Sequence, residues 1–355
     1  MTLSVDEIEK RIADSYELPN NVLEKVPQPM VSIRTSTYNH GPYIRQCIEG
    51  VLMQKTNFSF EFIIGEDYST DGTRDIVFEY AKRYPDVIRV ITADYNVGTK
   101  ANGRRCIRAC RGKYMAICEG DDYWIDPLKL QKQVDFLEGH PDYVLSHTSI
   151  KYYYQSQHLF ITSKDAAINS NILKKGFLSK EDILLSYRIQ TASVLFRRIL
   201  LDEIYKYDTF LYQSGYFLMG DTPLWYGLLG KGKIHFLPEV TTVYRKNNNS
   251  VTGHNNLKKY FRFILSMAEL RLYLAKRDNL STSFSIYAQK LYQNSAINYL
   301  AFDPSFKLLY PLDLEKIEWL KKKLYKISLL KYYLTFYIFI RSFLGNLRRK
   351  IIKSI

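Results

Sequence analysis

Three carboxylates lie within four residues near the middle of the chain, at Glu119, Asp121 and Asp122. Such a cluster repels itself and is costly beside an apolar core unless a cation neutralises it. Carboxylate oxygens suit Mg²⁺ or Mn²⁺, and Mg²⁺ is commonly shared between carboxylates and the phosphates of a substrate. The cluster therefore predicts a divalent metal site. The alternative is a solvated acidic turn ahead of a helix that Pro127 starts.

A second polar cluster occupies the turn at 66–73, which contains Glu66, Asp67 and Asp71. Asp-Gly-Thr ahead of a helix is a capping sequence, so we expect Asp71 to cap a helix rather than to bind a ligand. The spacing of the acids resembles the start of an EF-hand loop. Its twelfth position is Phe78, however, and a calcium site would lack its bidentate carboxylate.

Apolar runs precede both clusters and predict the strands that position them. Continuous apolar segments indicate buried strands at 30–36, 60–65, 87–92 and 114–118, and helical patterns separate them. Strands that alternate with helices predict a largely parallel sheet with right-handed crossovers. Because ligands gather at the carboxyl ends of such strands, we expect both clusters and the turn at Thr37 to line one pocket.

Composition and motifs exclude several classes of protein. With 355 residues, 46% of them apolar, the chain can bury a sizeable core and is globular rather than disordered. No Gly-x-Gly-x-x-Gly follows a strand and no Walker loop is present, so neither dinucleotide nor P-loop chemistry is supported. The four cysteines lack zinc-binding spacing and predict reduced, packed thiols. The first ten residues lack the apolar region of a signal peptide, and we expect none.

The order and spacing of these motifs resemble those of the family 2 glycosyltransferases, inverting enzymes of the GT-A fold. The segments that are similar to family motifs lie at 31–39, 66–73, 96–98, 119–124 and 220–225. The resemblance covers roughly residues 30–253, and it implies a Rossmann-like, mostly parallel α/β sheet with flanking helices. The chain departs from the usual pattern at Glu66, Tyr68 and Glu119, and polar residues occupy 34–36.

The resemblance implies transfer of a sugar from a nucleotide-diphosphate sugar, with a UDP-sugar favoured, to a glycan or lipid-linked acceptor with inversion. It implies that Mn²⁺ or Mg²⁺, bound by Asp121 with Asp122 or Glu119 nearby, neutralises the leaving diphosphate. The residues expected to hold the nucleotide sugar are Thr37, Tyr38, Asn39, Glu66, Asp67, Asn96, Gly98, Lys100, Arg104, Glu119, Gly120 and Asp121.

Some of these residues have expected roles. Asp67 would accept an N–H group from a base such as uracil, and Tyr38 would stack on that base. Lys100 and Arg104 would assist at the phosphates, although a solvated helix face explains these cations equally well.

Inversion requires one base that removes a proton from the acceptor hydroxyl. Asp221 is the candidate, because the resemblance places it on the acceptor side, ahead of an apolar helix that begins near Pro223. Its alternative role is the N-cap of that helix. The Asn-rich loop at 246–254 could close over the donor, and within it His254 is a weaker candidate for a metal ligand.

The chain divides into an N-terminal arm without chemistry at 1–29, a glycosyltransferase domain at 30–254 and a helical C-terminal region at 255–355. The formal charge is +14, and residues 319–355 contain ten Lys or Arg and no Asp or Glu. Their longest uncharged stretch, 332–340, is too short for a spanning helix, which needs ~20 residues. We therefore expect this basic, aromatic tail to lie on an anionic membrane surface. Packing on the enzyme itself or on a partner subunit is the alternative.

The sequence thus predicts a cytoplasmic hexosyltransferase, peripheral on the inner face of the plasma membrane, of the kind that builds bacterial cell-surface polysaccharide. No nucleic-acid recognition fold accompanies the positive charge, so no nucleic-acid partner is expected. Two alternatives stay open. One is a nucleotidyltransferase with a similar core, although the basic Gly-rich loop usual after its first strand is missing here. The other is a non-catalytic membrane scaffold that retains the fold.

Overall fold

The chain divides into two compact units, Met1–Val251 and Thr252–Ile355. The structure, a computed structural model, describes residues 4–20, 22, 28–246, 256–303 and 305–312.

A mixed sheet forms the centre of the first unit. Its described strands are β1 (Tyr16–Glu17), β2 (Val31–Thr37), β3 (Phe60–Glu66), β4 (Ile88–Thr92), β5 (Tyr114–Ile117), β6 (Tyr123–Trp124), β7 (Tyr143–Tyr154), β8 (Leu159–Thr162), β9 (Leu195–Arg197) and β10 (Lys233–Lys246). The order across the sheet is β1-β4-β3-β2-β5-β9-β7-β10-β6, and β8 pairs with β7. The neighbours β4, β3, β2 and β5 are all parallel, which confirms the predicted sheet. Beyond them β9 runs antiparallel to both β5 and β7, and β10 runs parallel to β7.

Helices connect the strands and cover the sheet. The described helices are α1 (Val5–Ala13), α2 (Gly41–Leu52), α3 (Thr73–Arg83), α4 (Thr99–Ala109), α5 (Lys129–Gly139), α6 (Asp165–Leu173), α7 (Lys180–Leu185), α8 (Leu200–Tyr207), α9 (Thr209–Gln213), α10 (Asp221–Leu229), α11 (Leu257–Arg277) and α12 (Thr282–Leu300). The first three crossovers, α2, α3 and α4, follow β2, β3 and β4. The central strands β2, β3 and β5 are buried along nearly their whole length, as expected for a parallel sheet covered on both faces.

The N-terminal residues form part of the first unit. Strand β1 pairs with β4 and extends the sheet at that edge. Helix α1 packs on α4, and Arg11 Nη1 donates to the carbonyl of Val97 at 3.2 Å. An ion pair of 2.7 Å joins Glu17 to Arg89 of β4. The predicted arm therefore supports the turn that precedes α4.

The described part of the second unit is helical, as predicted. Helices α11 and α12 pack on each other, and each begins at a capping side chain: Asn256 accepts from Lys259 N at 3.0 Å, and Ser281 from Phe284 N at 3.2 Å. No helix among the described residues is long and apolar enough to cross a membrane. The predicted basic tail at 319–355 and His254 lie outside the described residues.

Candidate functional site

Three polar turns meet at the carboxyl edge of the parallel strands. Thr37, at the end of β2, lies in register with Glu66, at the end of β3. Backbone hydrogen bonds continue past the strands, from Asp67 N to Thr37 O at 3.1 Å and from Gly120 N to Ser36 O at 3.2 Å. The structure therefore brings the predicted donor turns together at one edge of the sheet.

Gly120 is required at the point where the acidic motif crosses the turn after β2. A Cβ atom there would lie 2.7 Å from His40 Nδ1 and 2.8 Å from Thr37 Oγ1. Both distances are shorter than ordinary contacts, so only glycine allows the two turns to pack this closely.

The turn after β2 is held to the turn after β3 by side-chain hydrogen bonds. Asn39 Oδ1 accepts from Thr70 N at 2.9 Å. Asp71 accepts from Gly41 N at 2.9 Å and from Thr73 N at 3.1 Å, so it joins α2 to the first residue of α3, although Gly72, not Asp71, is the N-cap of that helix.

Two tyrosines stand exposed on these turns. Tyr38 is 45% exposed and Tyr68 is 43% exposed. Tyr68 holds a left-handed backbone conformation, φ +61°, which is unusual for a bulky residue, and Arg74 lies 5.2 Å from its ring centre. Both rings offer a face for a nucleobase, and Tyr68 is a candidate that sequence reasoning treated only as a departure from the family.

The two acids of the turn after β3 serve mainly to order the backbone. Glu66 is fully buried, and its carboxylate accepts from Ser69 N at 2.7 Å and Thr92 Oγ1 at 3.1 Å. Asp67 accepts from Val97 N at 2.8 Å and from Gly98 N at 3.0 Å, one bond to each oxygen. Burial raises the pKa of Asp67, and the bonds from these amides oppose the rise.

The contact predicted between Asp67 and a base stays a prediction, since the hydrogen bonds described for this carboxylate are made within the protein. The carboxylate holds the turn at 96–98, and Asn96 Nδ2 returns a bond of 3.1 Å to the carbonyl of Asp67. Gly98 has φ +89°, a conformation that favours glycine, and α4 begins at the next residue. Asn96 and Gly98 thus lie at the carboxyl edge of the sheet, where hydrogen bonds with Asp67 hold them.

Glu119 forms an ion pair with Arg34 of β2. Arg34 Nη2 lies 3.0 Å from Glu119 Oε1, and Nη1 donates to Ser36 Oγ at 2.8 Å. The neighbouring Thr35 donates to the carbonyl of Cys118 at 2.6 Å. The unexpected polar residues at 34–36 therefore bind the strand end that carries the acidic motif.

Asp122 is buried and holds strand β10. Its Oδ1 accepts from the backbone N of Arg245 at 2.9 Å, and Arg245 Nε donates to the carbonyl of Asp121 at 2.9 Å. Burial, followed by the charge of Asp121, raises the pKa of Asp122 well above its usual range. Arg245 also donates to Gln46 and Gln155, both at 2.7 Å. Sequence reasoning missed this buried arginine, which lies near the end of β10.

The predicted set of three metal-binding carboxylates is not assembled. Within the described part of the chain, no three His, Cys, Asp or Glu side chains form a group that could hold a metal ion. Glu119 turns toward Arg34 and Asp122 toward Arg245, whereas Asp121 lies partly exposed between them. One carboxylate together with substrate phosphates and water is nevertheless an arrangement that Mg²⁺ accepts. The residues present fit a metal that is completed by the substrate, with Asp121 as the protein ligand.

Asp221 is the first residue of α10, and Gly220, not Asp221, is its N-cap. Asp221 is partly exposed, and its Oδ1 accepts from Thr222 N at 2.6 Å. Burial raises the pKa of Tyr244 above its usual range. Three carboxylates raise it further: Asp122, Asp121 and Asp221. The candidate base therefore lies within electrostatic reach of the same tyrosine as the acidic motif.

The two cations predicted at the donor phosphates bind backbone carbonyls. Lys100 Nζ donates to the carbonyls of Gly215 and Phe217, the latter at 3.4 Å. Arg104 Nη2 donates to the carbonyl of Gln213 at 2.6 Å. Both cations hold the segment that leads to Asp221. These carbonyl contacts could not be inferred from the local charge pattern, and a role of the two cations at the donor phosphates stays a prediction.

Comparison with known sequences identifies relatives. Residues 32–203 match the profile of Glycosyl transferase family 2. The protein Rv1520 of Mycobacterium tuberculosis is 36% identical over 243 residues, which are 65% of this chain and 63% of the relative. The putative teichuronic acid biosynthesis glycosyltransferase TuaG of Bacillus subtilis is 36% identical over 110 residues, 31% of this chain and 42% of TuaG. The chain therefore spans less than two thirds of the length of these relatives.

Solved structures show the same fold. TarS 1-349 of S. aureus in complex with UDP has a TM-score of 0.50 at 16% identity, over 81% of this chain and 77% of that one. The mannosyltransferase PcManGT of Pyrobaculum calidifontis, in complex with GDP-Man and Mn²⁺, has a TM-score of 0.50 at 16% identity, over 86% and 83%. These likenesses support the predicted GT-A architecture.

Proposed function

From the match of residues 32–203 to glycosyl transferase family 2, we propose that the chain transfers a sugar from a nucleotide-diphosphate sugar to a glycan acceptor with inversion. The observation that carries the proposal is the meeting of Thr37, Glu66 and the acidic motif at one sheet edge. Ligands bind at this edge in open α/β sheets.

The donor is a nucleotide-diphosphate sugar, and a UDP-sugar is favoured. TarS was solved with UDP and PcManGT with GDP-Man, which supports this ligand class. The exposed rings of Tyr38 and Tyr68 provide faces on which a base stacks. Asn39 accepts from the backbone of the turn after β3, and Asp67 accepts from Gly98 N, so these bonds hold the turns that carry the two rings.

Asp121 is the residue that would hold Mn²⁺ or Mg²⁺ together with the donor diphosphate. A divalent cation there would neutralise charge that develops on the leaving diphosphate. Arg245 fixes the motif by bonds to the carbonyl of Asp121 and, through its own N–H, to Asp122. Glu119 is tied to Arg34, so its role is to position the motif.

Asp221 is the proposed general base. Its Oδ1 accepts from Thr222 N, and within the described part of the chain Oδ2 has no hydrogen-bond partner. Lys100 and Arg104 hold the approach to this residue through the carbonyls of 213–217. These contacts support Asp221 as a fixed, solvent-facing carboxylate on the acceptor side.

The acceptor is proposed to be lipid-linked, and the enzyme to lie on the inner face of the plasma membrane. This proposal rests on the composition of residues 319–355, with ten basic residues, no acidic ones and many large apolar side chains. Lysine and arginine near an anionic bilayer each contribute about 1 kcal/mol of attraction.

The decisive experiment incubates the full chain with UDP-glucose, UDP-N-acetylglucosamine and GDP-mannose in the presence of Mn²⁺, and measures slow hydrolysis of the donor. A glycosyltransferase releases a nucleoside diphosphate from at least one donor. A nucleotidyltransferase instead releases inorganic diphosphate from a nucleoside triphosphate and a sugar phosphate. Absence of both reactions, with no donor binding by calorimetry, would support the scaffold and overturn the proposal.

A further inference from the structure

A basic cavity of about 390 Å³ lies beside α4, away from the candidate active site. Residues of α1, α4, α8 and α9 line it. Its charged lining consists of Arg104, Arg108, Arg198, Lys206, Glu9 and Asp202. Four cations face two carboxylates, so the cavity carries net positive charge.

One of the carboxylates is already paired. Glu9 accepts from Arg108 through both oxygens, at 2.7 and 2.8 Å, and Arg104 lies 3.7 Å from it. This pairing fixes the two arginines of α4 along the cavity wall. Because the single charge of Glu9 is shared between two guanidinium groups, the wall stays cationic.

Arg198 is the best-placed donor. Its Nε donates to the carbonyl of Gly112 at 2.6 Å, which fixes the plane of the guanidinium. Within the described residues its terminal nitrogens have no hydrogen-bond partner, and Lys206 has neither a hydrogen bond nor an ion pair. A guanidinium held by Nε presents two parallel N–H groups, the geometry that a phosphate or carboxylate accepts bidentately.

The cavity and the donor edge lie at opposite ends of the sheet. Gly112 precedes β5, so Arg198 lies near the amino end of that strand, whereas the acidic motif follows its carboxyl end. Arg108 likewise lies in the last turn of α4, and α4 begins at the donor edge. A ligand in the cavity therefore does not overlap a donor bound at the Asp121 motif.

From these observations we infer that the cavity is a second binding site, for a phosphate group, with Arg198 and Lys206 as its principal ligands. Arg104 links it to the acceptor side, because the same guanidinium donates to Gln213 and to the carbonyl of Tyr212 at 3.3 Å. The phosphate comes either from a phosphodiester-bearing acceptor glycan or from a free phosphate compound. The first source rests on the proposed function, whereas phosphate binding itself does not.

Calorimetric titration of the full chain tests the inference with three probes: inorganic diphosphate, a glycerol phosphate oligomer and neutral maltohexaose. We expect one or both phosphate probes to bind and maltohexaose not to bind. The variant Arg198→Gln/Lys206→Gln should weaken phosphate binding by at least about tenfold, because it removes the two unpaired donors. The matched control, Lys82→Gln/Arg83→Gln on α3, removes the same charge elsewhere and should bind as wild type does.

The relative affinities of the two phosphate probes identify the source of the phosphate group. Tighter binding of the oligomer than of diphosphate identifies the acceptor, and equal or weaker binding identifies a free phosphate compound. Titration with UDP separates this site from the donor site, because UDP affinity should be unchanged in Arg198→Gln/Lys206→Gln even if transferase activity is never detected. Thermal melting confirms that the variants are folded. Equal loss of phosphate binding in both double variants, or no phosphate binding by folded wild type, would overturn the inference.

Discussion

Arg34 Nη2 lies 3.0 Å from Glu119 Oε1, an ion pair that joins the middle of β2 to the acidic motif beyond β5. Arg34 is only 9% exposed, and its Nε has no hydrogen-bond partner in the described structure. Glu119 is therefore the carboxylate that neutralises a buried cation in the sheet. The pair explains both the polar residues at 34–36 and the glutamate at the first position of the motif.

Removing Glu119 should lower the free energy of unfolding more than removing Arg34. Glu119→Gln leaves a buried guanidinium without a counter-charge, and we expect it to lower the free energy of unfolding by about 1–3 kcal/mol. This loss is below the roughly 3–5 kcal/mol of a fully buried pair, because the Glu119 side chain is 32% exposed. Arg34→Met should lose less, since Glu119 can reach solvent.

Urea unfolding of the two single variants and of Arg34→Met/Glu119→Gln checks this. The loss in the double variant should be smaller than the sum of the single losses. Additive losses would show that the pair makes no coupled contribution.

Asp121→Asn should abolish donor hydrolysis while the protein stays folded, because it removes the negative charge of the carboxylate proposed to hold the metal with the donor diphosphate. Activity with Mn²⁺ and thermal melting are the two measurements. Wild type treated with EDTA should lose activity and recover it when Mn²⁺ is added. Full activity in the variant or in EDTA would remove the metal from the mechanism.

Asp221→Asn should lower the turnover number by at least ~10²-fold, the lower range for general-base catalysis, with little change in donor affinity. Amide and carboxylate have the same shape, and the amide oxygen can still accept from Thr222 N, so α10 should remain intact. Single-turnover kinetics and calorimetry with UDP separate the two effects. A collapse of UDP affinity would instead assign Asp221 to donor binding.

Lys129 should make stability depend on pH. It is fully buried, with Nζ 2.7 Å from Gln133 Oε1 and 4.3 Å from the ring centre of Trp124. Burial lowers the pKa of Lys129 to about 7. Between pH 7 and the unfolded value near 10.4, the unfolded chain holds a proton that the folded chain lacks, so this residue makes stability rise with pH by up to about 1.4 kcal/mol per unit.

The contribution of Lys129 is thus fully present above the unfolded pKa and is lost as the pH falls to 7. Lys129→Met should remove it. The difference in unfolding free energy between wild type and Lys129→Met, measured from pH 7 to 9, isolates this residue from titrating tyrosines and cysteines. A difference that does not change with pH would contradict the lowered pKa.

Deletion of residues 319–355 should abolish binding to vesicles that contain anionic lipid and should leave slow donor hydrolysis intact. Wild-type binding, followed by co-sedimentation, should weaken with salt because the charges are screened, but the apolar side chains should preserve part of it. If the tail packs on the enzyme, its deletion would give insoluble or inactive protein, and wild type would not bind vesicles.

The sequence by itself determined the parallel strands, the turns that follow them and the resemblance to the family 2 glycosyltransferases. Each depends on patterns within a few residues: continuous apolar runs for β2, β3 and β5, and glycine at positions such as Gly98 where the backbone needs positive φ. The predicted parallel order also placed the turns after β2, β3 and β5 at one edge of the sheet, because the carboxyl ends of parallel strands lie at the same edge.

Only the tertiary structure decided which partner each charged side chain takes. Arg34 and Glu119 are 85 residues apart, Asp67 and Gly98 are 31 apart, and Arg104 and Gln213 are 109 apart. Each carboxylate or guanidinium could bond equally well to several polar groups in the chain. The order of the strands and the packing of the helices decide which of those groups lies within hydrogen-bond distance. For this reason the sequence predicted Glu119, Asp67 and Arg104 at the ligand, whereas the structure shows Glu119 paired with the side chain of Arg34 and the other two bonded to backbone groups.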